Sequence, residues 1–325
     1  MKKVLLSEEI HPDGRKMLEE KGIEIITAPD VKEETLISIV KDVEAIIVRS
    51  KAKITKEIIE NAPKLKIISR TGAGVDNIDV NAATEKGILV CNLPAVNSVS
   101  VAEYTIAMIL HLAKQLNLMD QAVRNGNWEI RNSSVSVEVE GKILGIVGMG
   151  NIGSLVAKKC HDGLGMKIVA YDPYVKEKFR GYNYKFVDTL EELFKKSDFI
   201  TLHCPDMPET RGMITRELIY SMKPTAYLIN VARGTVIDEQ ALIEALKEKR
   251  IAGAGLDVFQ QEPPSRDNEL LRLENVILSP HSAALTKEAT VRMAVEAVQA
   301  VIDYFEGRQP KYIYNFKALK EKGYI

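Results

Sequence analysis

Short apolar, β-branched runs alternate with stretches whose apolar positions recur at helical spacing, and this alternation begins with the first residues. Val4 to Leu6, Ile23 to Thr27, Ala45 to Val48, Ile67 to Ser69 and Ile88 to Cys91 read as strands, separated by helical patterns such as Asp13 to Lys21 and Thr55 to Asn61. A long helix is expected from Ser98 to Arg124, stopped by Asn125-Gly126-Asn127. The arm from Trp128 to Glu140 then shows no clear period. A second series starts at Gly141, with strands expected at Ile143 to Val147, Lys167 to Tyr171, Phe199 to Leu202, Tyr227 to Asn230, Ala252 to Leu256 and Val276 to Leu278. A final helix, Lys287 to Phe305, follows an N-cap candidate at Thr286.

Strand-helix alternation implies parallel sheets, and two series in tandem imply two α/β domains, doubly wound and Rossmann-like, with a cleft between them. Hinges are placed near Asn97 and Ala284. The expected division is residues 1–98 with 285–325 as a substrate-binding domain and 99–284 as a dinucleotide-binding domain.

Composition narrows the class. With 325 residues, 46% hydrophobic and 27% charged, the chain is long enough for two cores and too apolar for disorder. Lys and Arg number 44 against 45 Asp and Glu, without a block of one sign, which argues against nucleic acid or an anionic membrane as partner. The N-terminus has too few apolar residues for a signal peptide, and Val99 to Leu112 carries Glu103, Tyr104 and His111, so it reads as a buried helix rather than a membrane span. Three cysteines, Cys91, Cys160 and Cys204, without CxxC spacing suggest neither disulfides nor a zinc site, and a cytoplasmic setting is expected.

The strand Lys142 to Val147 runs into Gly148-Met149-Gly150-Asn151-Ile152-Gly153 and then a helical pattern. Gly148 permits the tight turn, Gly150 lets a pyrophosphate approach the backbone, and Gly153 lets helix and strand pack closely. The helix N-terminus offers amides and partial positive charge to phosphates. Twenty-four residues after Gly148 stands Asp172, at the end of the next strand, where a carboxylate can accept ribose hydroxyls and repel a 2′-phosphate. The nearest following base is Lys176, so NAD is favoured over NADP. A turn cap before Pro173 is the structural alternative for Asp172.

Three further strands end in polar segments: Asn230 to Gly234, Asp257 to Pro263 and Ser279 to Ala284. Reducing a 2-keto acid takes a cation to hold the carboxylate and polarise the carbonyl, and a proton donor for the alkoxide. Arg233 suits the first task through its planar fork, and His281 suits the second. Glu262 would fix the imidazole's tautomer and raise its pKa. Asp257 suits either a turn cap or contact with the nicotinamide end, and His203 a wall of the cofactor site. In the first series, Ser69 to Asp76 carries two glycines after a strand, a turn able to aim backbone N–H groups at a substrate carboxylate.

Taken in order, the glycine turn, Asn-Val-Ala-Arg-Gly, Asp-Val-Phe-x-x-Glu-Pro and Pro-His resemble the D-isomer-specific 2-hydroxyacid dehydrogenases over almost the whole chain. The resemblance implies an NAD-dependent enzyme with a catalytic trio of Arg233, Glu262 and His281. It implies substrate carboxylate on the N–H groups of Ala73 and Gly74, and cofactor contacts at Asn151, Ile152, Asp172, Cys204, Val231 and Asp257. A homodimer built through the cofactor domain and a first domain closed by the C-terminal helix are also implied. Arg70 to Asp79 and Asn97 to Glu103 look most like the D-3-phosphoglycerate dehydrogenase branch, which makes Arg49 and Arg70 candidate readers of a substrate phosphate. The segment Glu129 to Ser134 departs from that branch in lacking its usual basic pair, which keeps hydroxypyruvate or glyoxylate reductase as an alternative. A non-catalytic NAD-sensing protein is the rival from another class, and the intact Arg, Glu and His speak against it. A formate dehydrogenase is disfavoured because that branch pairs Gln with its histidine.

Overall fold

Apolar runs of three to five residues become strands of two all-parallel sheets in the computed structural model, which describes residues 2–133, 136–179 and 181–325, Lys176 by its backbone only. Ser134, at the end of the departing segment noted above, lies outside the described residues. The chain divides into two compact units, residues 1–97 with 285–325 and residues 98–284.

Unit 1 carries β1 (Lys3–Leu6), β2 (Glu24–Thr27), β3 (Ala45–Val48), β4 (Ile67–Arg70) and β5 (Leu89–Cys91), in the order β2-β1-β3-β4-β5. Its inner strands β1, β3 and β4 are mostly apolar because both faces are covered. Val4, Leu6, Ala45 and Ile47 face one core, which includes the helix Lys287–Phe305, while Leu5, Ile46 and Val48 face the other. Thr286 caps that helix, accepting from the Ala289 amide at 3.1 Å. Gly14 lets the helix Pro12–Glu20 lie against it, since a Cβ there would stand 3.0 Å from Cβ of Ala294.

Unit 2 carries β6 (Ile143–Val147), β7 (Lys167–Tyr171), β8 (Tyr184–Phe186), β9 (Phe199–Leu202), β10 (Tyr227–Asn230), β11 (Gly253–Leu256) and β12 (Val276–Leu278), ordered β12-β11-β10-β9-β6-β7-β8. The order reverses between β6 and β9, the switch point where doubly wound sheets leave a crevice at their carboxyl ends. Two apolar cores flank this sheet, Leu144 and Ile146 in one, Val147 and Ile200 in the other.

Two expectations need correction. The edge strand β8 has no counterpart in the apolar pattern, because it reads Tyr-Lys-Phe with Lys185 exposed and both aromatic residues only partly buried, so it offers no apolar run. The expected helix from Ser98 to Arg124 is two helices, Ser98–Lys114 and Leu116–Arg124, parted at Gln115 with φ 52°. The break needs neither glycine nor proline, because tertiary partners take over the helical hydrogen bonds. His111 Nε2 accepts the Asn117 amide at 3.2 Å, and the irregular segment 136–139 sends the Val137 amide to the Ala113 carbonyl at 2.8 Å. Among the described residues no helix is long and apolar enough to cross a membrane.

Candidate active site

The glycine turn is built by backbone sterics. Gly148 sits at φ +91°, a region that L side chains avoid, and a Cβ on it would press the His203 carbonyl carbon at 2.9 Å. A Cβ on Gly153 would collide with the Gly148 carbonyl oxygen, so glycine there seats the helix Asn151–Leu164 on β6. Gly150, the N-cap, differs from both: a Cβ on it would meet nothing within 4 Å, and no side chain caps the helix. Open space above an uncapped helix start is what a dinucleotide pyrophosphate requires, and these residues fit NAD.

Asp172 follows β7. Its Oδ2 accepts the Met149 amide at 2.8 Å and its Oδ1 the Tyr174 amide at 2.9 Å, so the carboxylate ties the glycine turn to the neighbouring strand end and caps its own turn. Both oxygens keep further lone pairs for a ribose. On the adjacent β9 end, burial pushes the Cys204 thiol up to about 11 and the His203 imidazole down to about 3, so both are uncharged at neutral pH. Thr201 Oγ1 lies 3.0 Å from His203 Nε2, while the buried Nδ1 has no partner among the described residues. Val231, at the end of β10, is buried.

The β10 end turns through Asn230, buried to 1% exposure, which donates to the Arg233 carbonyl at 2.9 Å and accepts the Ala232 amide at 3.0 Å. Arg233 Nη1 donates to the Ala232 carbonyl at 2.7 Å. Gly234 must be glycine, because a Cβ there would collide with the Phe259 carbonyl. That close approach lays the Arg233 turn directly on the segment leading to Glu262.

Asp257, at the end of β11 and 1% exposed, holds the His281 turn together. Its Oδ1 accepts from Ser279 Oγ at 2.6 Å and from the Ser282 amide at 2.8 Å, its Oδ2 from the Ala283 amide at 2.9 Å, and its carbonyl from the His281 amide at 2.7 Å. His281 itself adopts φ 51°, a left-handed conformation that residues other than glycine seldom take. Its Nδ1 stands 2.7 Å from Glu262 Oε2. Burial pushes the Glu262 carboxyl up, but the His281 hydrogen bond and charge, the Phe259 amide at 3.1 Å and the Arg233 charge outweigh it and leave Glu262 below its usual range. With Nδ1 facing the carboxylate, Nε2 is the ring atom left to exchange a proton. Residues from β10, β11 and β12 ends, far apart in sequence, therefore form one electrostatic group.

In unit 1, the Gly72 carbonyl accepts the Leu93 amide at 2.8 Å and the Ala73 carbonyl accepts Asn92 Nδ2 at 2.6 Å. Among the described residues the N–H groups of Ala73 and Gly74 donate no hydrogen bond, which suits an anion. Arg70 folds over Gly72, and Arg49 Nη1 donates to the Glu9 carbonyl at 2.8 Å. The anchoring roles of Asn230 and Ser279 escaped the sequence reading. Their signal is slight, a short polar residue one to three positions before the group it serves. Among the described residues no group of His, Cys, Asp or Glu is arranged to hold a metal ion.

Comparison with known proteins identifies the family. The profile of the D-isomer specific 2-hydroxyacid dehydrogenase NAD binding domain matches residues 106–283. D-3-phosphoglycerate dehydrogenase of Methanocaldococcus jannaschii is 43% identical over 99% of this chain and 61% of its own length. The chain thus spans about three fifths of the curated relatives it matches first. The D-lactate dehydrogenase of Aquifex aeolicus, solved with NAD and lactic acid, is 33% identical with a TM-score of 0.86, over 98% of both chains. The NADPH-dependent glyoxylate/hydroxypyruvate reductase of Sinorhizobium meliloti, solved with NADP and malonate, is 28% identical with a TM-score of 0.86, over 96% of both.

Proposed function

The chain belongs to the D-isomer specific 2-hydroxyacid dehydrogenases, and on that premise we propose that it interconverts a small D-2-hydroxy acid and its 2-keto acid with NAD(H), through Arg233, Glu262 and His281. The observation that carries the proposal is the 2.7 Å contact of His281 Nδ1 with Glu262 Oε2, on a carboxylate that also feels the Arg233 charge. The cofactor, when bound, supplies or takes up the hydride at C2. In the reducing direction His281 gives its Nε2 proton to the nascent alkoxide, and in oxidation it takes that proton back. Glu262 holds the imidazole in the tautomer with hydrogen on Nδ1 and offsets its positive charge when protonated. Arg233 grips carboxylate and carbonyl oxygens and stabilises the charge that grows on the latter. Gly148, Gly150, Asn151, Ile152 and Gly153 would hold the pyrophosphate, Asp172 the adenosine ribose, and Cys204, Val231 and Asp257 the nicotinamide side. Asp172 favours NAD over NADP.

Within this family the proposed substrate is 3-phosphoglycerate, in keeping with the M. jannaschii relative. Ala73 and Gly74 are assigned to the carboxylate, and Arg49 and Arg70 to the phosphate. A second reading, reduction of hydroxypyruvate or glyoxylate, is favoured by the contact that Arg49 makes with the Glu9 carbonyl. Steady-state assays at fixed NADH with phosphohydroxypyruvate, hydroxypyruvate and glyoxylate decide between them. Replacing His281 by Ala should lower kcat on the accepted substrate by about 10²- to 10⁴-fold. An unchanged kcat would remove the acid/base assignment.

A homodimer belongs to the same proposal. Leu116, Leu118 and Val123 of the helix Leu116–Arg124 and Trp128 beyond it, 62% exposed, expose apolar surface that a second copy would cover. Sedimentation equilibrium returning only monomer at micromolar concentration would overturn it. Cytoplasmic residence is proposed from the three thiols, all unpaired.

A further inference from the structure

Glu262 occupies an awkward position for a residue asked to hold a fixed geometry, because nearly all of 260–267 is exposed to solvent and carries two consecutive prolines and a run of polar residues. Free loops of this kind sample many conformations, and each unrestrained residue costs conformational entropy when ordered. Something must hold the carboxylate at hydrogen-bond distance from His281. The Phe259 amide binds Glu262 Oε1 at 3.1 Å from the buried root of the loop, which is one hold on the carboxylate, but it leaves the exposed stretch beyond residue 260 unrestrained.

The external anchor is a second carboxylate. Glu239, the first residue of the helix Glu239–Lys247, accepts the Gln260 amide on Oε2 at 3.0 Å and Asn268 Nδ2 on Oε1 at 3.0 Å. Its two oxygens therefore grip the loop on either side of Glu262, at positions 260 and 268. Each gripped residue is itself tied down: Gln260 Nε2 donates to the Ile237 carbonyl at 2.9 Å, and Asn268 Oδ1 accepts the Leu270 amide at 3.0 Å. The helix bearing Glu239 is capped by Asp238, which accepts the Ala241 amide at 3.0 Å, and packs through Ala241, Leu242 and Ala245 into the core of unit 2. A hydrogen bond to a carboxylate is about twice as strong as one between neutral groups. The anchor thus transmits the rigidity of a buried helix to an exposed loop.

We propose that Glu239 is a positioning residue for the proton transfer at His281, clamping the Glu262 loop at Gln260 and Asn268 so that Glu262 Oε2 stays within hydrogen-bond reach of His281 Nδ1. This rests on the reading of His281 and Glu262 as the acid/base couple. A purely structural role for Glu239, as an acid favoured at a helix start, would affect melting temperature and leave proton transfer alone.

The test uses the full chain, with hydroxypyruvate or whichever acid of the panel it reduces, and NADH, in H2O and in D2O. Glu239→Ala should lower kcat about ten- to hundredfold, the scale of a small misplacement of a reacting group, and leave KM for NADH within about twofold. It should also raise the solvent isotope effect on kcat, because proton transfer becomes the slow step. Glu239→Gln, which keeps one acceptor, and Asn268→Ala, which releases one grip, should fall between the wild type and Glu239→Ala. If Glu239→Ala does not fold, these two carry the test. A kcat and an isotope effect equal to wild type in the variants, whatever their melting temperatures, would overturn the clamp. If the wild type turns over and His281→Ala does so equally well, the acid/base reading fails and the clamp with it. If only His281→Ala is impaired, the clamp alone fails.

Discussion

The two units share an architecture and differ at one turn. Each is a parallel sheet wound in both directions from an early strand, with a switch point between β1 and β3 in unit 1 and between β6 and β9 in unit 2. Both of these first strands lead into a helix. In unit 2 that passage runs through Gly148 and Gly150 to a helix with no side-chain cap. In unit 1 it runs through Ser7, Glu8 and Glu9 to a helix opened by Pro12 and capped by His11, whose Nδ1 accepts the Asp13 amide at 3.3 Å. The second arrangement fills the helix start with a side chain and sets two acids beside it, which is hostile to phosphate. Topology supplies the place for a ligand, and the turn's residues decide whether one binds.

Breaking the glycine turn tests that comparison most severely. Gly153→Val drives a side chain into the Gly148 carbonyl, and NADH binding should be lost together with several degrees of melting temperature, followed by calorimetry and circular dichroism. Gly150→Val meets open space, so the protein should keep its melting temperature while its affinity for NADH, titrated by fluorescence, falls at least about tenfold because the side chain occupies the pyrophosphate's approach. Wild-type affinity in that variant would mean that the turn of unit 2 does not receive the pyrophosphate.

A smaller effect is expected at Asp172. Losing a hydrogen bond to a charged group is worth roughly 1.5–3 kcal/mol, so Asp172→Ser should weaken NADH about ten- to hundredfold and gain relative affinity for NADPH. The ratio of the two is the discriminating readout, because Asp172 also holds the Met149 amide and a general loosening would weaken both cofactors alike. An unchanged ratio would leave Asp172 as a turn anchor only.

The mildest test separates the units by pH. Unit 2 buries His203 in its neutral form, with its pKa pushed from the ordinary 6.5 down to about 3. Between those values the unfolded chain binds a proton that the folded one refuses. Stability is therefore complete above about pH 6.5 and is lost as pH falls toward 3. The one histidine of unit 1, His11, is partly exposed. His203→Gln should narrow the gap between melting temperatures at pH 7.5 and pH 5 by a few degrees. An unaltered gap would mean that acid sensitivity arises elsewhere.

Much of this was written in local pattern. Alternation of apolar runs and helical spacing marks eleven of the twelve strands found among the described residues to within a residue or two, and the N-cap at Thr286 with its helix, because a strand's period of two and a helix's of 3.6 are properties of neighbouring residues. The glycine turn was legible for the same reason: steric permission at Gly148 and close packing at Gly153 act within a few residues.

What only the folded chain decided is where partners distant in sequence meet. His281 and Glu262 are nineteen residues apart, and nothing in their spacing dictates a 2.7 Å contact; the adjacency of β11 and β12 does. The break at Gln115 is invisible to periodicity because the segment 136–139, which takes the Ala113 carbonyl, lies outside any helical window, and the His111 ring that takes the Asn117 amide does so through a side chain that periodicity does not read. Glu239 carries no sign of its contacts in the sequence, because only the folded chain brings Gln260 and Asn268 within reach of its carboxylate. Sequence sets local conformation through sterics and periodicity, whereas the order of strands in the sheet sets which loop ends share a crevice, and it is there that the chemistry is assembled.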